Sequence, residues 1–209
     1  MRHFMNKEFF ESIEKLKDET MGTENVCYLL YSMIKMIKPN NVLEIGIGYT
    51  TPFILQAIRE NINDFNRIDF NIKNGIFNYN SMKNLKLDYY QSTPLYRYTG
   101  VDNMSHKNCK SVVEYVNQQT DVTCNLHLHD YNSIPKDIKY DFVWMDCGDY
   151  IDYVNLLDNF TTIFSNGAFI LLHNTANTPL HNLPNITEFI EPNKVNQNSV
   201  SILKYVKSN

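Results

Sequence analysis

Apolar residues in this chain alternate between short continuous runs and stripes at helical spacing. Residues 26–37 carry apolar side chains at i, i+3, i+4, i+7, i+8 and i+11, which predicts a helix with one buried face. A short apolar run follows at 42–45, and similar runs stand at 97–102, 140–146 and 168–173. Runs of this length predict buried strands. Because helical stripes separate them, the pattern predicts a mostly parallel sheet with helices on both faces.

The two ends of the chain and one middle segment complete this prediction. Residues 1–38 are predicted to form N-terminal helices, and residues 122–129 alternate between apolar and polar side chains. Such alternation is typical of an edge strand with one wetter face. The apolar stretches 186–190 and 199–206, separated by a polar loop, predict a closing antiparallel hairpin. The predicted fold class is a doubly wound, Rossmann-like α/β sheet of seven strands, in a single domain spanning residues 1–209.

The segment 63–97 interrupts the regular pattern. The helix after the first strand is predicted to end near Ile62, and the residues that follow are rich in Asn and aromatic side chains without clear periodicity. Connections in α/β units are usually much shorter, and long ones are typically functional or disordered. The aromatic content argues against disorder. A substrate-covering insertion is the favoured interpretation, with an oligomer contact and a passive elaboration as the alternatives.

Composition and charge narrow the class of protein. With 43% apolar and 20% charged residues, the 209-residue chain has the composition of an ordinary globular protein and is long enough to form a sizeable core. Its net charge of −4 disfavours nucleic-acid partners, which bind to a basic face. No apolar run approaches the length of a membrane span, and no N-terminal segment resembles a signal peptide. The four cysteines lack metal or redox spacing, so we expect free thiols in a cytoplasmic protein.

A glycine turn between the first strand and its helix is the strongest candidate for binding chemistry. The sequence Glu44-Ile-Gly46-Ile-Gly48 precedes Thr51, a predicted N-cap, and Pro52, a predicted first helical residue. Such a turn is expected to present bare backbone N–H groups to a ligand, and glycines let the ligand approach the backbone. A dinucleotide-binding turn would need a third glycine. Thr51 stands at that position, so a nicotinamide cofactor is disfavoured.

Polar residues also follow each of the later strands. In open α/β sheets, ligands bind beyond the carboxyl ends of the strands. The side chains predicted to gather there are Asp102, Asp130, Asp146, Asp149, His173 and Asn174. Acids and a histidine at successive strand ends predict a functional site at that edge of the sheet.

The glycine turn and the strand ends together resemble the class I S-adenosylmethionine-dependent methyltransferases. Glu-x-Gly-x-Gly is similar to motif I of that superfamily, and the segments 141–150 and 171–175 look like its small-molecule branch, methyltransferase family 24. The resemblance extends over roughly residues 23–206 and implies the strand order 3-2-1-4-5-7-6. It also implies S-adenosylmethionine as the cofactor. The implied cofactor-binding residues are Glu44, Gly46, Gly48, Thr50, Asp102, Asn103, Asp130, Tyr131 and Asp146.

Individual positions match or depart from the family pattern. Asp102 matches the acid that binds both ribose hydroxyls, a task that suits a carboxylate because it accepts two hydrogen bonds. Asp130 matches an acid near the adenine amino group. Asp149 stands where the small-molecule branch often has His, and Asn174 stands where it often has Asp.

His173 is the first candidate for a general base, because imidazole titrates near neutral pH. Asp149 is the second, either as a base or as the partner of a substrate amine. The alternative is that His173 only hydrogen-bonds the adjacent loop. Catechol-type members of the superfamily hold a divalent metal, and Asp146 and Asn174 match two of its ligand positions. His173 replaces the third, an acid, and hard cations prefer oxygen, so no metal is expected.

The expected function is transfer of a methyl group from S-adenosylmethionine to O or N of a small metabolite. One alternative is another transferase that uses the same scaffold, such as an aminopropyl transferase. A second is a non-catalytic relative that binds a cofactor or a partner. A nucleic-acid methyltransferase is disfavoured, since the chain has Met145-Asp-Cys-Gly where those enzymes show (N/D)PP(Y/F). A homodimer is left open.

Overall fold

The structure, a computed structural model, describes residues 5–18, 22–76, 94–175, 186–190 and 199–206. Seven strands form one sheet in the order β3-β2-β1-β4-β5-β7-β6, which confirms the predicted fold class and strand order. The strands are β1 Asn41–Ile45, β2 Arg97–Val101, β3 Thr123–His127, β4 Tyr140–Met145, β5 Phe164–His173, β6 Ile186–Ile190 and β7 Ser199–Lys204. Strands β1 to β5 run parallel to one another, and β7 runs antiparallel to both β5 and β6. Strand β3 lies at an edge, as its alternating polarity predicted.

Five helices flank the sheet in the described part of the chain. They are α1 Lys7–Ile13, α2 Val26–Ile37, α3 Thr51–Lys73, α4 Cys109–Asn117 and α5 Tyr150–Asn159. Asn6 caps α1 by accepting a hydrogen bond from the Phe9 N–H at 2.9 Å. Helix α2 ends where Lys38 adopts a left-handed conformation with φ 53°. None of the described helices is long and apolar enough to cross a membrane.

The central strands are buried on both faces. On one face, Val42 and Trp144 join a core cluster that includes residues of α1, α2, α3 and α4. On the other face, Leu43 and Val143 join a second cluster with residues of α5. Alternate residues of a strand point to opposite faces, so each central strand supplies side chains to both clusters. This double burial explains why β1 and β4 read as continuous apolar runs.

Helix α3 is longer than the sequence predicted. It was expected to end near Ile62 but continues through Lys73, so the first part of the segment 63–97 is helical. Charged pairs support this extension: Asp64 lies 2.9 Å from Lys35 Nζ and 3.1 Å from an Arg67 nitrogen. Because charged pairs of this kind leave no apolar stripe, hydrophobic periodicity did not predict this part of the helix. Residues 77–93, the rest of the predicted substrate-covering insertion up to Pro94, lie outside the described residues.

The start of β5 also differs from the prediction. The apolar run predicted a strand over residues 168–173, but α5 ends at Asn159 and β5 already begins at Phe164. The pairing register between β4 and β5 shifts in this region, and Gly167 has φ 84°. A glycine at positive φ therefore marks an irregularity within the strand here, not a helix end.

Candidate active site

A cavity of about 400 Å³ opens at the carboxyl ends of β1 to β4. The sequence-predicted residues that line it are Gly46, Gly48, Asp102, Asn103, Asp130, Tyr131 and Asp146. Its size falls within the range of small-molecule sites, roughly 300–1,000 Å³. The parallel sheet thus gathers residues from four strand ends at one place, as expected for an open α/β fold.

The two glycines of the turn have different neighbours. Gly46 has φ 88°, and a Cβ added there would lie 2.0 Å from the Asp146 carbonyl oxygen. A Cβ added at Gly48 would meet nothing within 4 Å. Gly46 is therefore required by the backbone of the neighbouring strand end. Gly48 has open space beside it and lines the cavity, and a ligand approaching the backbone needs such room.

The N–H groups of the turn already have partners, which corrects the expectation that they are bare. The Gly46 N–H donates to the Val101 carbonyl at 2.8 Å, and the Ile47 N–H donates to Asp102 Oδ2 at 3.1 Å. The Gly48 N–H donates to Thr51 Oγ1 at 3.1 Å. These bonds constrain the shape of the turn.

The start of helix α3 also corrects a prediction. Thr51 is the first residue of the helix and Pro52 the second, while the N-cap is Thr50, whose side chain makes no capping hydrogen bond. Both threonine hydroxyls instead donate to Glu44, at 2.5 Å from Thr50 and 2.8 Å from Thr51. Because the Thr50 hydroxyl donates to the buried Glu44 carboxylate, it does not cap the helix.

Glu44 lies under the turn and does not line the cavity. It is fully buried, and its carboxylate accepts a third hydrogen bond from the Tyr98 hydroxyl. Burial raises the pKa of Glu44 to about 7, against the opposing effect of the hydroxyl donors. Thr50 is likewise buried and absent from the cavity lining. Glu44 and Thr50 therefore support the turn without lining the cavity.

Asp102 joins the loops that follow β1 and β2. Its carboxylate accepts hydrogen bonds from the Ile47 N–H at 3.1 Å, the Met104 N–H at 2.5 Å and the Cys109 thiol at 3.2 Å. Next to it, the exposed Asn103 accepts from the Ser105 N–H at 3.0 Å. Asp102 thus has a fixed orientation at the cavity wall.

The third strand contributes Asp130 and Tyr131. Asp130 is exposed and accepts a hydrogen bond from the Asn132 N–H at 2.9 Å, which caps the 3-10 turn Tyr131–Ser133. The Tyr131 ring packs edge-on against Phe160, with ring centroids 6.2 Å apart. Together they form one side of the cavity.

Asp146 and His173 lie together at the ends of β4 and β5. His173 Nδ1 and Asp146 Oδ1 are 2.7 Å apart. Only Asp146 lines the cavity: its side chain is 21% exposed, whereas that of His173 is 2% exposed. The His173 ring lies 5.5 Å from the Trp144 ring, and the Tyr153 hydroxyl donates to the His173 carbonyl at 3.0 Å. His173 is therefore held behind Asp146.

The residues of the metal alternative lie at the ends of the neighbouring strands β4 and β5. Asp146 and His173 contact each other, while the exposed Asn174 follows in a left-handed conformation with φ 55°. Across the described ranges, no group of three or more His, Cys, Asp or Glu side chains has an arrangement that could hold a metal ion.

Asp149 caps helix α5 and lies outside the cavity lining. Its carboxylate accepts from the Ile151 N–H at 2.8 Å and the Asp152 N–H at 3.4 Å, and Asp152 accepts from the Asp149 N–H at 2.9 Å. This reciprocal pair is a capping box. The structure therefore gives Asp149 a helix-capping role and does not bring it to the cavity wall with Asp146.

Several cavity residues were missed in the sequence. Those of the N-terminal region are Leu16, Asp18 and Thr23, and the others include Tyr49, His106, Asn108, His129, Cys147 and Asp152. Asp18 lies 3.0 Å from Lys107 Nζ and 3.5 Å from His106 Nε2, which joins the N-terminal segment to the loop after β2. No local pattern marks Asp18 as a site residue. Tyr49 could have been found, because it directly follows the glycine turn.

Comparison with known proteins identifies the fold. The sequence matches no protein-family model and no curated protein. Among solved structures, the O-methyltransferase TomG from Streptomyces achromogenes, in complex with SAM, is similar with a TM-score of 0.59 and 10% identity, over 99% of this chain and 91% of that one. A methyltransferase from Geobacter sulfurreducens matches with a TM-score of 0.60 and 13% identity, over 96% and 91%.

An O-methyltransferase from Bacillus cereus, solved in complex with SAH, is also similar, with a TM-score of 0.55 and 13% identity over 96% of this chain and 92% of that one. At such identities the likeness is one of fold. The chain has the fold of the class I S-adenosylmethionine-dependent methyltransferases, as the sequence resemblance implied.

Proposed function

We propose that this protein is an S-adenosylmethionine-dependent methyltransferase that acts on O or N of a small metabolite. One observation carries the proposal: the glycine turn and three strand-end acids, Asp102, Asp130 and Asp146, line a single cavity. The open space beside Gly48 is the kind of cradle that a ligand close to the backbone requires. Similar folds were solved with SAM or SAH, which supports this choice of cofactor.

On this proposal, the strand ends divide the binding of the cofactor between them. Asp102, fixed by the loops after β1 and β2, accepts hydrogen bonds from the ribose hydroxyls. Asp130 and Tyr131 contact the adenine, and Gly48 leaves room for the methionine part. The bound cofactor supplies an activated methyl group on a sulfonium centre. The protein's own task is then to align the acceptor and to exclude water.

Asp146 is the member of the Asp146–His173 pair that faces the acceptor on this proposal. Its carboxylate reaches the cavity, whereas His173 lies behind it at 2.7 Å. His173 as a direct base remains a prediction, but it would require the buried ring to turn into the cavity. The present arrangement favours a role in which His173 orients the Asp146 carboxylate and Asp146 accepts the proton of a hydroxyl acceptor.

The cofactor proposal is tested by calorimetry with S-adenosylmethionine. Asp102→Ala should weaken binding by roughly 2 kcal/mol, about thirtyfold in Kd, because a charged hydrogen-bonding partner is lost. Asp141→Ala is the matched control. Its carboxylate also accepts two backbone N–H bonds, from Asn40 at 3.0 Å and Asn41 at 3.1 Å, but at the start of β1, away from the cavity.

Affinity for S-adenosylmethionine should not change in Asp141→Ala. If both variants lost affinity equally, general destabilisation would explain the effect and the ribose role of Asp102 would be wrong. If the wild-type protein did not bind S-adenosylmethionine, the cofactor proposal itself would fail. Turnover is then tested by release of S-adenosylhomocysteine with phenol, catechol and amine acceptors. Binding without turnover on any of them would favour the non-catalytic alternative.

A further inference from the structure

Glu44 is a buried carboxylate with no cationic partner. It is fully buried, and its two oxygens accept hydrogen bonds from the hydroxyls of Thr50, Thr51 and Tyr98. In the part of the chain that the structure describes, no Lys, Arg or His side chain forms an ion pair with it. Hydroxyl donors alone therefore balance its charge.

The hydrogen bonds of Glu44 extend directly to the ligand-facing part of the glycine turn. Thr51 donates to Glu44 at 2.8 Å and accepts from the Gly48 N–H at 3.1 Å. Thr50, which donates to the other carboxylate oxygen, is the N-cap residue of α3. A change at Glu44 is thus transmitted through one hydroxyl to Gly48, the glycine with open space beside it.

Protonation of Glu44 would change the present set of hydrogen bonds. A carboxylate only accepts, whereas a protonated carboxyl group must also donate from one oxygen. One of the three hydroxyls would then have to turn round and accept, or lose its partner. Because all of these groups are buried, an unpaired hydroxyl would be costly, and the turn is expected to rearrange instead.

The groups that face Glu44 determine which form is present. Burial raises the pKa of Glu44 to about 7, hydrogen bonds from Thr50, Tyr98 and Thr51 act in the opposite direction, and the Asp146 carboxylate adds to the rise. From α2, the buried Cys27 thiol faces the same region, and its pKa is raised mainly by burial and also by Glu44. Both forms of Glu44 are therefore accessible close to neutral pH.

We propose that Glu44 makes cofactor binding depend on pH by holding the glycine turn in its binding shape only when the carboxylate is ionised. This inference rests on the proposed function. Affinity for S-adenosylmethionine is high above neutral pH and falls as the pH drops and Glu44 takes up a proton.

The experiment measures the Kd of S-adenosylmethionine by calorimetry from about pH 6 to about pH 8 for wild type and Glu44→Gln. Glu44→Gln resembles the neutral form, so it should bind weakly at every pH, and the ratio of the two constants removes the titration of the ligand itself. If only the ionised form binds, the ratio changes about tenfold over this range, as linkage requires for one proton. A constant ratio would overturn the proposal.

A second variant keeps the test valid if Glu44→Gln does not fold. Tyr98→Phe removes one donor to the carboxylate, so it should raise the pKa of Glu44 and move the midpoint of the affinity curve to higher pH. An unchanged midpoint in a folded variant would contradict the proposal.

Titration of Glu44 is also read without any cofactor, by NMR of protein labelled with [13C]glutamate. A side-chain carbonyl resonance that titrates near neutral pH and is missing in Glu44→Gln supports the device. This readout separates the two proposals. No binding of S-adenosylmethionine at any pH overturns the methyltransferase proposal, whereas binding without a neutral-pH Glu44 titration overturns only the pH dependence.

Discussion

Gly46 and Gly48 lie in the same turn but are constrained by different parts of the molecule. A Cβ at Gly46 would overlap the Asp146 carbonyl at 2.0 Å, and the residue has φ 88°. Gly46→Val should therefore lower the free energy of unfolding by roughly 1–3 kcal/mol or more, through strain and overpacking. Urea denaturation measures the change.

Gly48→Val is the matched variant, because a Cβ there meets nothing within 4 Å. Stability should change by less than about 0.5 kcal/mol, because the added side chain would overlap no neighbouring atom. Affinity for S-adenosylmethionine should nevertheless fall roughly tenfold or more, since the side chain would fill the space that the ligand needs. A Gly48→Val protein that bound the cofactor normally would show that the ligand does not approach this part of the turn.

At the scale of elements, helix α5 shows how a predicted site residue can be a structural one. Asp149 caps this helix through two backbone N–H groups, at 2.8 and 3.4 Å. Asp149→Ala should lower the free energy of unfolding by about 1 kcal/mol, and Asp149→Ser should restore most of it, because a serine hydroxyl also caps.

The same pair of variants tests the catalytic prediction for Asp149. If capping is its main role, Asp149→Ser should keep full turnover on any acceptor that the wild type methylates. A loss of turnover in a stable Asp149→Ser protein would instead support Asp149 as a base or amine partner. Thermal unfolding and S-adenosylhomocysteine release are measured on the same samples.

Elements whose burial is periodic could be predicted, and those held by polar contacts could not. Strands β1 and β4 were clear because both of their faces are buried, which leaves a continuous apolar run. The end of α3 was missed because ion pairs such as Lys73–Asp69, at 2.7 Å, replace an apolar stripe there. The start of β5 was missed because Gly167 at positive φ looks in sequence like a helix end.

At the scale of the whole molecule, the site was predictable as far as the fold determines it. Parallel strands bring their carboxyl ends to one edge, so Asp102, Asp130 and Asp146 could be placed there from their positions alone. The sequence could not show which side chain faces the cavity, because that depends on packing between neighbouring strands. His173 sits behind Asp146 since Trp144 and Tyr153 hold it there, and these contacts join residues far apart in sequence.

The final prediction concerns the stability of the whole fold as a function of pH. Burial raises the pKa of Glu44 from its ordinary value of 4.5 to about 7, so between these values the folded state binds more protons than the unfolded state. The contribution of Glu44 to stability is therefore fully present below about pH 4.5 and is lost as the pH rises through 7. The loss should reach roughly 3 kcal/mol, from about 1.4 kcal/mol per pKa unit.

Glu44→Gln has no such titration, so the difference in unfolding free energy between wild type and this variant should fall with rising pH and then level off. Urea denaturation from about pH 4 to about pH 8 measures it. A difference that stayed constant or rose with pH would show that the hydroxyls of Thr50, Thr51 and Tyr98 keep Glu44 ionised throughout. If the expected fall is found, ionisation of Glu44 lowers the stability of the folded protein. The ionised form is also the one proposed to bind the cofactor, so cofactor binding would restore part of the lost stability.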